Sequence, residues 1–82
     1  MRKFIGEWVS AYENDYPIYA ESAPKSSLEY ARDTATLESK KAGIMEWIAV
    51  KEYLWAGDKR TGHWELVSRH YGDYDTLEAD SL

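Results

Sequence analysis

The chain has 82 residues, 44% of them hydrophobic, no cysteine, and a formal net charge of −5 at pH 7. Such a length supports one small domain with a limited core, and the missing cysteine excludes disulfides, thiolate metal sites and a cysteine nucleophile. The negative charge disfavours non-specific attraction to DNA, RNA or anionic lipid, and no apolar run is long enough for a membrane span or a signal-peptide core.

Residues 2–12, "RKFIGEWVSAY", alternate in the manner of a strand, with Phe4, Trp8 and Tyr12 on one face and Ile5, Val9 and Ala11 on the other. A helical stripe of Ile5, Trp8, Val9 and Tyr12 fits the same residues. The turn-forming "ENDYP" and the short β-favouring stretch 16–20 follow, so we read a β-hairpin. Pro17 lacks an amide donor, which places the second strand at a sheet edge.

Ser26 followed by Glu29 fits a capping box, with Ser27 as an alternative cap, and predicts a helix ending at Gly43. Leu28, Ala31, Ala35 and Ala42 mark its inner face, and an alanine-rich face lets a helix approach a sheet closely. Lys40 and Lys41 complement the negative end of the helix dipole.

"GIMEWIAVKEYLWA" and "HWELVSRHY" then read as two strands joined by "GDKRTG". Pairing Ala56 with His63 sets Trp55 opposite Trp64, Tyr53 opposite Leu66 and Ala49 opposite His70. One face then holds Met45, Trp47, Ala49, Tyr53, Trp55, Trp64 and Leu66. The other holds Ile44, Ile48, Val50, Leu54, Val67 and Tyr71, with Glu46, Glu52, Glu65 and Arg69 interspersed. A bulge would exchange the faces beyond it. Residues 73–82 are acidic and lack a periodic apolar face, as expected of a frayed tail. The expected fold is a single α+β domain over residues 1–72, in the order β-β-α-β-β. It is a mainly antiparallel four-stranded sheet with one helix on one face.

Few residues suggest chemistry. Gly57 and Gly62 have the spacing of a phosphate loop, but His63-Trp64 stands where Lys-Ser/Thr is needed and a strand follows in place of a helix. The stretch is read as a hairpin loop, its glycines supplying dihedral freedom and its tip solvated. His63 and His70, seven apart on a strand, point to opposite faces unless a bulge intervenes, so a shared metal is not expected. The serines read as caps and turns, and no Gly-x-Ser-x-Gly elbow occurs. Neither a cofactor nor enzymatic activity is expected.

The aromatic content is the strongest signal. Twelve residues are aromatic, four of them Trp, and one helix leaves one face of a sheet uncovered. We expect a protein-binding module acting through Trp47, Tyr53, Trp55 and Trp64, with Glu46, Glu52, Glu65, Asp73 and Asp75 as an acidic perimeter. In size and charge the chain resembles small phage-encoded inhibitors of host defence, of the anti-CRISPR and anti-restriction kind. The resemblance implies a partner with a basic, nucleic-acid-handling surface; the missing cysteine and the short apolar runs lead us to expect cytoplasmic residence (the host's cytoplasm for a phage protein). A homodimeric accessory protein using the aromatic face is the alternative. Stacking of single-stranded bases is disfavoured because a basic surround is missing.

Overall fold

The structure, a computed structural model, describes residues 1–44 and 46–73, the side chain of Asp73 excepted. Strand β1 (Arg2–Glu13) and strand β2 (Tyr16–Glu21) form the first hairpin. Their two-residue turn places Asn14 and Asp15 at φ 50° and 69°. A turn of this hand needs two left-handed residues, and Asn and Asp tolerate that conformation best after glycine.

Helix α1 (Leu28–Ala42) follows. Its cap is Ser27, the alternative the sequence offered, whose hydroxyl accepts from the Tyr30 amide at 3.0 Å. Gly43 ends it at φ 74°, donating its amide to the Lys40 carbonyl, as a left-handed cap requires. The second hairpin joins strand β3 (Trp47–Ala56) to strand β4 (His63–Asp73). All pairings are antiparallel and the sheet order is β2-β1-β3-β4, the expected α+β fold. β2, with Pro17, is an edge strand as expected. Among the described residues, no helix is long and apolar enough to cross a membrane.

α1 lies across the central strands β1 and β3. Its buried positions are Ala31, Ala35 and Ser39; Ala42, expected on the inner face, is exposed. The small side chains bring the helix onto Gly6 of β1, and Trp8, Ala35 and Ile48 form the centre of the core, with Ala20 packed beside them. Register and alternation set Phe4, Trp8, Ile48, Val50 and Leu54 on the helix side. The aliphatic face of β3 therefore packs on the helix, and the aromatic face is the uncovered one.

Two bulges change which residues share that uncovered face. In β1 the register shifts between Val9 and Ala11, so Tyr12 leaves the Phe4–Trp8 side and joins Pro17 and Tyr19. In β4 the residue between Leu66 and Ser68 is extra. The pairs Trp55–Trp64 and Tyr53–Leu66 form as expected, but Ala49 meets Tyr71, and His70 meets Val50. A one-residue insertion inverts the side of every residue beyond it. Arg69 and Tyr71 thus cross to the aromatic face, while His63 and His70 end on the same side of the sheet. Ile44, expected in the strand, precedes β3, and Met45 lies outside the described residues.

Candidate functional site

The uncovered face has an aromatic group at each end and four charges between them. At one end Tyr19 and Trp47 have ring centroids 5.0 Å apart, and Tyr71 meets Trp47 at 6.3 Å. At the other end Trp55 and Trp64 form an edge-to-face pair at 5.3 Å. There the Lys3 ammonium sits 4.5 Å from the Trp64 ring centre and 5.3 Å from that of Tyr53. Cation–π contact holds the cation over the rings, with no carboxylate partner among the described residues. Trp47, Tyr53, Trp55 and Trp64 therefore do share one face, although they fall into two groups.

The middle of the face is ionic, with Glu7 and Lys51 buried and Glu21 and Arg69 exposed. Glu7 is opposite Glu21 on β2, and Lys51 is opposite Arg69 on β4. Two crossed pairs resolve these like-charge contacts: Lys51 binds Glu21, and Arg69 donates to Glu7 at 3.2 Å. Burial pulls the Lys51 ammonium down, but the Glu21 carboxylate, with Tyr53 and Glu7, more than offsets this and leaves it raised. Val9 and Ala49 between the strands are buried although no helix covers them, because the flanking rings wall them in. Outward from this floor, Tyr19, Leu66 and Tyr71 remain exposed, Tyr71 by 68%.

Rings and floor together enclose a depression of about 300 Å³ lined by Glu7, Tyr19, Trp47, Arg69 and Tyr71. Of these only Trp47 was expected at a binding site. Glu7, Lys51 and Glu21 were passed over because charged residues on a strand read as solvent-facing. Arg69 and Tyr71 were misplaced by the β4 bulge. The one signal in the sequence was Glu7 between Gly6 and Trp8, in a segment too apolar to leave a carboxylate fully solvated.

The expected acidic perimeter is not assembled as one patch. Glu52 and Glu65 point to the helix side of the sheet. There Glu52 binds Arg2 and His70, and Glu65 lies 3.0 Å from His63. Each histidine thus has its own carboxylate, and no cluster of three or more metal-ligating side chains occurs among the described residues. Glu46 precedes β3 and accepts from the Tyr12 hydroxyl, at the end of the face that holds Trp47. Asp73 ends β4 opposite Trp47, its side chain outside the description, and Asp75 lies outside the described residues. The charge itself is uneven along the chain. All ten bases and eleven of the fifteen acids precede residue 73; Asp73, Asp75, Glu78 and Asp80 are the other four.

The loop from Gly57 to Gly62 is a hairpin connection, not a phosphate cradle. The Asp58 carboxylate accepts from the Arg60 and Thr61 amides and from the Thr61 hydroxyl at 2.8–2.9 Å. Those bonds, the Thr61 amide first, hold it below the usual aspartate value, so Asp58 organises the loop. Gly57 uses its freedom at φ 101°, but Gly62 has no positive φ; it is needed because Trp55 packs over it. No protein-family model, curated protein or solved structure matches the chain.

Proposed function

We propose that this chain is a non-enzymatic protein-binding module that docks its partner on the helix-free face of its sheet. The observation that carries this reading is a second, exposed apolar surface beside a complete core. Trp8, Ala35 and Ile48 are buried between helix and sheet, yet Tyr19, Leu66 and Tyr71 stay exposed on the opposite face around a semi-buried ionic floor. Exposed apolar surface of this kind, around charges that are mostly paired, is what an interface desolvates at low cost. In the finer form of the proposal the partner is a basic, nucleic-acid-handling protein that the module inhibits. The net charge of −5 supports that form.

The test is retention of a partner by three tagged chains, in lysate treated with nuclease. These are the native sequence, a face variant (Leu66→Glu with Tyr71→Glu) and a helix variant (Tyr30→Glu with Leu37→Glu). All four substituted side chains are exposed, so the fold tolerates the changes. The expected outcome is one protein held by the native chain and the helix variant, lost by the face variant, and released as salt rises. Loss from the helix variant instead would overturn the docking surface. A doubled mass in solution that the face variant abolishes makes a second copy the partner.

A further inference from the structure

We infer that the depression between Tyr19, Trp47 and Tyr71 receives a lysine or arginine side chain of the docked partner, with Glu7 at its floor. This rests on the protein-binding reading above and specifies the chemistry of the partner.

Glu7 is buried, and its side chain is only 10% exposed. Arg69 donates to its Oε1, and among the described residues nothing donates to its Oε2. Among the described residues no fully buried side-chain oxygen is left without a partner, so this Oε2 is reached from outside. Glu52 shows the filled arrangement within the same molecule, with His70 on Oε1 and Arg2 on Oε2. Glu7 has one half of that arrangement. A partly desolvated carboxylate oxygen accepts most strongly from an ionised donor, and a guanidinium or ammonium supplies one.

The walls select the same class of group. Trp47 is flanked by Tyr19 at 5.0 Å and Tyr71 at 6.3 Å, with interplanar angles of 46° and 62°. Three rings line the depression, and an aromatic ring attracts a cation that approaches its face. Arg69 already uses one of them, its guanidinium lying 5.8 Å from the Tyr71 ring centre. A volume of about 300 Å³ is at the small end of ligand pockets, suited to one side chain. Glu46 adjoins Trp47, and both cations of the floor are already paired, Lys51 with Glu21 and Arg69 with Oε1 of Glu7.

Three peptides titrated into the isotope-labelled full chain and read by NMR test this. They are acetyl-Gly-Arg-Gly-amide and its lysine and norleucine counterparts. The arginine and lysine peptides should give saturable shifts at Tyr19, Trp47 and Tyr71, with a dissociation constant on the order of 1 mM. The norleucine peptide should give none. Tyr71→Ala, at an exposed position, should weaken binding about threefold to fivefold, and Glu7→Gln should abolish the preference for cations. If Glu7→Gln fails to fold, Tyr71→Ala still decides. Equal shifts with norleucine, shifts centred away from these rings, or no shifts would overturn the pocket. Such a failure leaves the docking face to stand or fall on partner retention. Conversely, binding of the arginine peptide together with unchanged retention by the face variant keeps the pocket and removes the docking reading.

Discussion

Gly6 lies directly beneath Ala31: a Cβ on Gly6 would come 2.5 Å from the Ala31 carbonyl oxygen and 3.1 Å from the Ala35 Cβ. The first of these contacts is with backbone, which cannot rotate away, so the helix would have to lift from β1. Gly6→Ala should therefore destabilise the fold by about 1–3 kcal/mol, in the range of an overpacked core. Urea denaturation checks this as a lower midpoint with little change in slope. A glycine within a strand marks such a close approach, and with the alanine face of α1 it makes the helix–sheet contact legible in the sequence.

Much else about the fold was legible for similar local reasons. Lys40, Lys41 and Gly43 mark the helix end, and the six-residue loop fixes Ala56 against His63 and hence Trp55 against Trp64. The bulges were not. Nothing in "LVSR" distinguishes an extra residue from regular alternation, because each side chain there tolerates either side of a strand. The misreading began at that point and carried Arg69, His70 and Tyr71 with it. The candidate site suffered most, since the Glu7–Arg69 pair joins residues 62 apart and depends on the shifted register. The aromatic residues of β3 were placed correctly because they lie on an unbulged strand.

Ser39 is fully buried on the inner face of α1, and its hydroxyl donates to the Ile44 carbonyl at 2.7 Å, beyond the Gly43 cap. This bond ties the chain leaving the helix to the helix itself. Ser39→Ala raises the helix propensity but leaves that carbonyl without its donor, and the second effect dominates with a loss of about 1–2 kcal/mol. Comparison of the variant's denaturation midpoint with that of the native chain measures it, and an unchanged midpoint would show that water replaces the hydroxyl.

Glu52 accepts from His70 and Arg2. The His70 bond lowers its pKa most; burial opposes the shift and Arg2 reinforces it, so the carboxyl is held below the usual 4.5. A depressed folded value stabilises the protein fully above the unfolded pKa and ceases to do so as pH falls through the folded one. The melting temperature of the native chain relative to Glu52→Gln should thus decline as pH falls below 4.5. A difference that grew on acidification would reverse the sign and remove this role for Glu52.

Trp55 connects the loop to the uncovered face. Its indole Nε1 donates to the Asp58 carbonyl at 3.0 Å, its ring packs over Gly62, and its edge-to-face partner is Trp64. A Cβ on Gly62 would come 2.6 Å from Cε2 and Nε1 of Trp55 and 2.5 Å from the Asp58 oxygen. Gly62→Ala must therefore displace the indole or open the loop, and either breaks the ring pair, a contact worth about 0.5–1.5 kcal/mol beyond its buried area. Asp58→Ala acts on the same pair by releasing the Arg60 and Thr61 amides, whereas Asp58→Asn keeps an acceptor for them. Near-ultraviolet circular dichroism should lose tryptophan signal in Gly62→Ala and Asp58→Ala, and retain most of it in Asp58→Asn. Because the Trp47 group is anchored separately on Tyr19 and Tyr71, its response to the arginine peptide should survive all three substitutions. If that response were lost along with the Trp55 signal, the two ends of the face would be one cooperative surface.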